Sequence, residues 1–174
     1  RLALLGYLGA GANRRRDRLL GLFWAESDGT HARASLNQAI YVLRRALGED
    51  ALVSHGNDEL ALNPAVITCD IAAFEAALAA GSPERALAFY RGDLLDGFFI
   101  SAAPEFERWL DDERERLKQR AGDAAWSLAE TSADAGRVIE AERWARTAAD
   151  LLPMDEAVVR RVMAFLSRLG DRAA

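Results

Sequence analysis

The chain has 174 residues, 51% of them apolar and 28% charged, with a formal net charge of −5 and a single cysteine. Such a chain can bury the core of one or two compact domains, which excludes a disordered protein. One cysteine excludes a disulfide scaffold, and no apolar run approaches the ~20 residues of a membrane span.

The opening apolar stretch, 2–11, is short, glycine-broken and preceded only by Arg1, so it reads as a helix and not as a signal peptide. Leu2, Leu5 and Leu8 recur at helical spacing, and Gly6, Gly9 and Gly11 are expected to end that helix. With Arg1 in place of Met, the sequence is expected to be a fragment of a longer chain. A second short helix is expected over 16–24, with Leu19, Leu20, Phe23 and Trp24 as its apolar face. The polar stretch 26–30 is a loop, with Thr30 the expected N-cap of the next helix. From 31 to 47 the pattern is strongly helical: Leu36, Ile40, Leu43 and Leu47 form one stripe, and Gly48 stops it.

Two short apolar runs, 51–53 and 60–62, flank the turn-rich His55-Gly56-Asn57-Asp58 and predict a hairpin closed by Pro64. After Asp70 the pattern is helical throughout. Helices are expected over 71–80, 83–91, 103–122, 124–135, 139–151 and 155–169, separated by Gly, Pro or Asp. Gly136-Arg137 and Gly170-Asp171 lie 34 residues apart, and Leu128, Ala141, Ala148 and Pro153 fall at the offsets of a tetratricopeptide helix pair. The tryptophan and tyrosine of that consensus are absent from their places.

The net charge counts against nucleic acid until it is divided by region. Residues 1–63 hold eight arginines against seven carboxylates, and the remainder holds 14 bases against 20 acids. Six of those arginines fall at positions 14–18 and 44–45, and a local basic stripe matters more to nucleic acid than a whole-chain total.

Little in the sequence suggests an enzyme. His31, His55 and Cys69 cannot supply a metal cluster, and Gly6, Gly9 and Gly11 follow no strand and make no phosphate loop. Asp111, Asp112, Glu113 and Glu115 alternate with Arg114, Arg116 and Arg120, the pattern of a solvated, salt-laced helix. Trp109, Trp126 and Trp144 read as core anchors or groove walls. The helix at 31–47 is more telling. Opposite its apolar stripe stand Gln38, Tyr41 and Arg45, with His31 and Ser35 beside them and Arg33, Asn37 and Arg44 on the flank. Amide and guanidinium groups can pair base edges at two points, hydroxyls can reach phosphate, and the helix carries no Glu or Lys. A short helix before it and a hairpin after it give the order of a winged helix-turn-helix.

Three segments, Arg18-Leu19-Leu20-x-x-Phe23-Trp24, Ala32-Arg33-x-x-Leu36 and Leu43-Arg44-Arg45-Ala46-Leu47-Gly48, resemble the response-regulator-type winged helix. Cys69-Asp70-x-x-x-Phe74, Tyr90-Arg91-Gly92-Asp93-Leu94-Leu95-x-Gly97-Phe98 and Phe106-Glu107-x-Trp109-Leu110-x-x-Glu113-Arg114 resemble the start of a bacterial transcriptional activator domain, as in SARP-like regulators.

The resemblance implies a mostly α fold: a winged helix-turn-helix with a short β-hairpin wing at 1–67, then a tetratricopeptide-like helical domain at 68–174. The small sheet that precedes the first helix in that family, and the family's later repeats, are expected to lie outside this sequence. It also implies a cytoplasmic transcriptional activator without cofactor. Its partners would be double-stranded DNA, RNA polymerase or other transcription proteins, and a second copy in a homodimer. The helix 31–47 would enter the major groove, with Asn37, Gln38, Tyr41 and Arg45 nearest the bases and Arg33 and Ser35 beside them. Arg14, Arg15, Arg16 and Arg44 would neutralise phosphates. His55 and Asn57 of the wing would meet the minor groove, although Asp58 and Glu59 make the wing less basic than such contacts favour. The competing reading is a helical interaction scaffold whose winged helix does not bind DNA.

Overall fold

The computed structural model describes residues 1–11, 13–56, 58–153 and 155–173. They form a mostly helical chain with one small antiparallel sheet: α1 (Leu2–Gly9), β1 (Arg14–Arg15), α2 (Arg16–Phe23), α3 (Gly29–Leu47), β2 (Leu52–His55), β3 (Glu59–Leu62), α4 (Asp70–Ala79), α5 (Pro83–Phe89), α6 (Pro104–Asp134), α7 (Val138–Leu151) and α8 (Glu156–Ala173). A single 3-10 turn, Glu49–Ala51, joins α3 to β2. The chain divides into two compact units, neither continuous in sequence: Arg1–Ala72 with Leu94–Glu113, and Ala73–Asp93 with the residues from Arg114 onward. This division differs from one at residue 67, because Leu94, Leu95, Phe98, Ile100 and Phe106 bury apolar surface against the core of the first unit.

That core joins Leu4, Tyr7 and Leu8 of α1, Leu19 and Leu22 of α2, Leu36, Ile40 and Leu43 of α3, and Leu52 and Leu60 of the sheet. Leu47, expected on the buried stripe, is 42% exposed: it is the last residue of α3, and Gly48 at φ 107° turns the chain away from it. Gly6 lies inside α1 and does not end it, whereas the helix does end at Gly9, its last residue, with Gly11 just beyond. Gly6 and Gly9 also act as notches. A Cβ on Gly6 would fall 2.8 Å from Leu95 Cδ1, and one on Gly9 would fall 2.9 Å from the Cys69 sulfur.

The hairpin forms as expected, with Leu52 opposite Leu62 and His55 opposite Glu59. A third strand was not legible: Arg14 and Arg15 pair with Leu60 and Glu59, giving the order β1-β3-β2. Two arginines have no β-branched or alternating character, so nothing local announces a strand. The N-cap of α3 is Asp28 and not Thr30. The Asp28 carboxylate accepts from the backbone N–H of Thr30 at 2.9 Å and of His31 at 3.1 Å, and a negative cap also suits the helix dipole.

In the second unit, Ala125, Trp126 and Ala129 of α6, Ala141, Ala145 and Ala148 of α7, and Val162 and Phe165 of α8 form a core of small residues and aromatics. Gly136, at φ 73°, makes the turn between α6 and α7. Two expected breaks are absent. Gly122 lies inside the continuous 31-residue α6, and Gly170 lies inside α8. A lone glycine costs a helix only ~1 kcal/mol, too little to break one that is packed on its neighbours.

Candidate nucleic-acid interface

Helix α3 sorts the expected site residues by direction. Ala32, Leu36, Ala39, Ile40 and Leu43 face the core, which leaves Arg33, Asn37, Gln38, Tyr41 and Arg45 exposed. At 100° per residue, Gln38, Tyr41 and Arg45 share the outward ridge with His31, while Arg33, Asn37 and Arg44 lie on one flank. Tyr41 is 56% exposed, well above what a core aromatic shows. No carboxylate occurs between His31 and Leu47, so the ridge presents amide, phenol and guanidinium groups alone.

The flank is braced against the sheet. Arg44 donates from Nη2 to the Leu52 carbonyl at 2.9 Å. Arg16 donates from Nη1 to Asn37 Oδ1 at 3.2 Å and from Nη2 to Ser54 Oγ at 3.4 Å. The Nε atoms of both arginines are buried without a hydrogen-bond partner. Each guanidinium therefore spans helix and wing, a role that leaves no mark on the local sequence pattern. Ser35 and Gln38 border a cleft of about 820 Å³ whose other walls include Phe23, Trp24, Ile100 and Ala103. Ser35 is half-buried there.

The remaining basic residues differ among themselves. Arg15 is exposed and paired with Asp17 at 2.8 Å, which raises the guanidinium's pKa and lowers that of the carboxylate. Arg14 is half-buried, with its guanidinium 4.4 Å from the centre of the Tyr7 ring. His55 is exposed at the end of β2. Asn57 lies outside the described residues. The turn end of the wing is tied down by the Arg16 N–H, which donates to the Asp58 carbonyl at 2.7 Å, and Asn13 donates to the Glu59 carboxylate at 3.0 Å.

The acid-rich turn of α6 is exposed at Asp111, Asp112 and Glu115, while Glu113 is buried. Arg116 and Arg120 both pair with Glu75 of α4. Among the described residues no cluster of three His, Cys, Asp or Glu is placed to hold a metal, and no helix is long and apolar enough to cross a membrane.

The model of one protein family, described as the bacterial transcriptional activator domain, matches residues 69–174. The chain belongs to the bacterial transcriptional activator domain family. No curated protein matches it. The matched region begins at Cys69, whose thiol lies 3.4 Å from the Gly9 carbonyl, and takes in the Gly92–Phe98 and Phe106–Arg114 strings. Of the latter, Phe106 and Leu110 are fully buried, and Trp109 packs its ring 4.6 Å from Tyr7. This bacterial transcriptional activator domain family is a regulatory one and not a family of enzymes, and membership gives the chain a role in transcription regulation.

Proposed function

We propose that the chain is a DNA-binding transcriptional activator that reads its site with α3 in the major groove. The observation that carries this reading is the exposed ridge of Gln38, Tyr41 and Arg45, free of carboxylates, on a helix braced to a hairpin wing. Gln38 and Asn37 have the donor and acceptor pair that matches adenine, and Arg45 the fork that matches guanine. Arg33 and Ser35 flank these bases. Arg14, Arg15, Arg16 and Arg44 supply the positive charge for phosphates, and His55 and Asn57 bring the wing to the adjacent minor groove. The helical second unit serves self-association as a homodimer and contact with RNA polymerase or other transcription proteins, in the cytoplasm.

Selection of bound sites from random duplexes, followed by titration of the selected duplex at two salt concentrations, tests the reading. Enrichment of a sequence, with affinity falling steeply as salt rises, is the expected result. Absence of duplex binding would leave the helical scaffold as the function.

A further inference from the structure

A second cleft, of about 1050 Å³, lies within the first unit, bordered by α1, one flank of α2 and the first turns of α6. Four arginines line it. Two are neutralised: Arg15 by Asp17, and Arg108 by Glu105. Arg14 and Arg18 have no carboxylate partner among the described residues.

Arg14 is nevertheless held in place. Its guanidinium lies over the Tyr7 ring, and Tyr7 is in turn packed on Trp109, which also lines the cleft. Gly11 makes room for it, since a Cβ there would collide with Arg14 Nη2. Its Nε is buried and makes no hydrogen bond. A half-buried cation fixed by a ring face and a glycine, yet given no counter-charge, is costly in the empty protein and ready for an oxyanion. Asp112 is the lining carboxylate without an ion partner among the described residues, so the cleft as a whole holds one excess positive charge. A phosphodiester carries one negative charge.

We infer that this cleft binds a phosphodiester-type oxyanion, gripped by Arg14 and Arg18 against the Tyr7–Trp109 wall. The source of that group is a small free phosphodiester or the backbone of DNA. The DNA-backbone source rests on the proposed function, which gives Arg14 a phosphate, whereas binding of a free phosphodiester stands whether or not α3 contacts bases.

The test titrates the whole chain with dimethyl phosphate, with sodium chloride at the same ionic strength as the control, following tryptophan fluorescence beside Trp109. The ester is expected to give a saturable change that chloride does not. Arg14→Met is expected to weaken it at least about tenfold, the loss of one charge-assisted contact. Circular dichroism checks that this variant folds. Arg18→Ala, at an exposed position, gives the same readout should Arg14→Met unfold. A response shared equally by chloride, or unchanged in both variants, overturns the inference. With a selected duplex, a salt slope shallower by about one in Arg14→Met assigns the site to the DNA backbone. Unchanged duplex affinity with lost ester binding assigns it to a free phosphodiester. A chain that binds the ester and no duplex refutes the proposed function and leaves the cleft intact.

Discussion

Arg16 Nη1 donates to the side-chain oxygen of Asn37 across 3.2 Å, tying the first residue of α2 to the flank of α3. The bond fixes which way the Asn37 amide faces, leaving its NH₂ group and one oxygen lone pair to present outward. Arg16→Ala is therefore expected to relax base preference at the position Asn37 meets, and to cost about 1 kcal/mol in urea unfolding for two exposed hydrogen bonds. Arg16→Lys separates positioning from phosphate neutralisation. Relaxed preference with an unchanged salt slope supports positioning. Unchanged preference means that Arg16 acts as a charge alone.

The cap of α3 gives the helix an acid limb. The Asp28 carboxyl is held below the usual carboxylate range, first by its hydrogen bond to the His31 ring and then by the backbone N–H groups of His31 and Thr30. A carboxyl depressed in the folded state contributes stability that is present above its unfolded pKa and lost as pH falls through its folded one. Helicity near α3 should thus decline on acidification below about pH 4. Asp28→Asn keeps a capping oxygen and removes that titration. Circular dichroism against pH should show a flatter acid limb in the variant; an identical limb in both would mean that other carboxyls carry it.

The elements with strong periodicity were legible from the residues alone: α1, α2, α3, the hairpin and the helices after Asp70 fall where apolar spacing puts them, except that the helices expected at 103–122 and 124–135 are one continuous α6 and α8 runs on through Gly170. Features set by distant partners were not. Gly6 read as a helix breaker because its real constraint, the approach of Leu95, lies far along the chain. Gly122 misled for the same reason, since Leu152 fills its notch. The outward ridge of α3 followed from its helical wheel. The bracing by Arg16 and Arg44 did not, because it depends on how α2 and α3 pack against Leu52 and Ser54 of β2, a tertiary contact that no local pattern reveals.

Gly122 supplies a prediction whose sign is decided by packing. In an exposed helix, glycine to alanine gains ~1 kcal/mol from propensity. Here the added Cβ would lie 2.5 Å from Leu152 Cδ1 and 2.9 Å from its Cγ, so the whole isobutyl group must move, and Leu152 is buried. Overpacking of this kind costs ~1–3 kcal/mol. Gly122→Ala is therefore expected to be neutral to ~2 kcal/mol destabilising in urea. Combining it with Leu152→Ala should recover the propensity gain, as a non-additive double-mutant cycle. Stabilisation by the single change would show that the notch is not filled.

Tyr90 offers a spectroscopic check on the second unit. Burial, followed by the nearby Asp93 carboxylate, pushes its phenol up to about 12, and its hydroxyl lies 3.3 Å from Asp93 Oδ1. The raised pKa means a contribution fully present below the unfolded value of about 10 and lost as pH rises toward 12. Absorbance titration should show a phenolate step near the upper value that disappears in Tyr90→Phe and moves down in Asp93→Asn.

Arg45 stands on the outward ridge, exposed, in the last turn of α3. It has no ion pair among the described residues, so its guanidinium enters any complex without first breaking an internal contact. If it forks onto guanine, Arg45→Ala costs ~1–3 kcal/mol on the selected duplex and relaxes preference at one base. If it lies on phosphate, the loss is uniform across sequences and the salt slope falls by about one. Measuring affinity on the selected duplex and on single-base variants of it, at two salt concentrations, separates these outcomes. Unchanged affinity and slope would remove Arg45 from the interface, and with it the residue on which major-groove reading by α3 most depends.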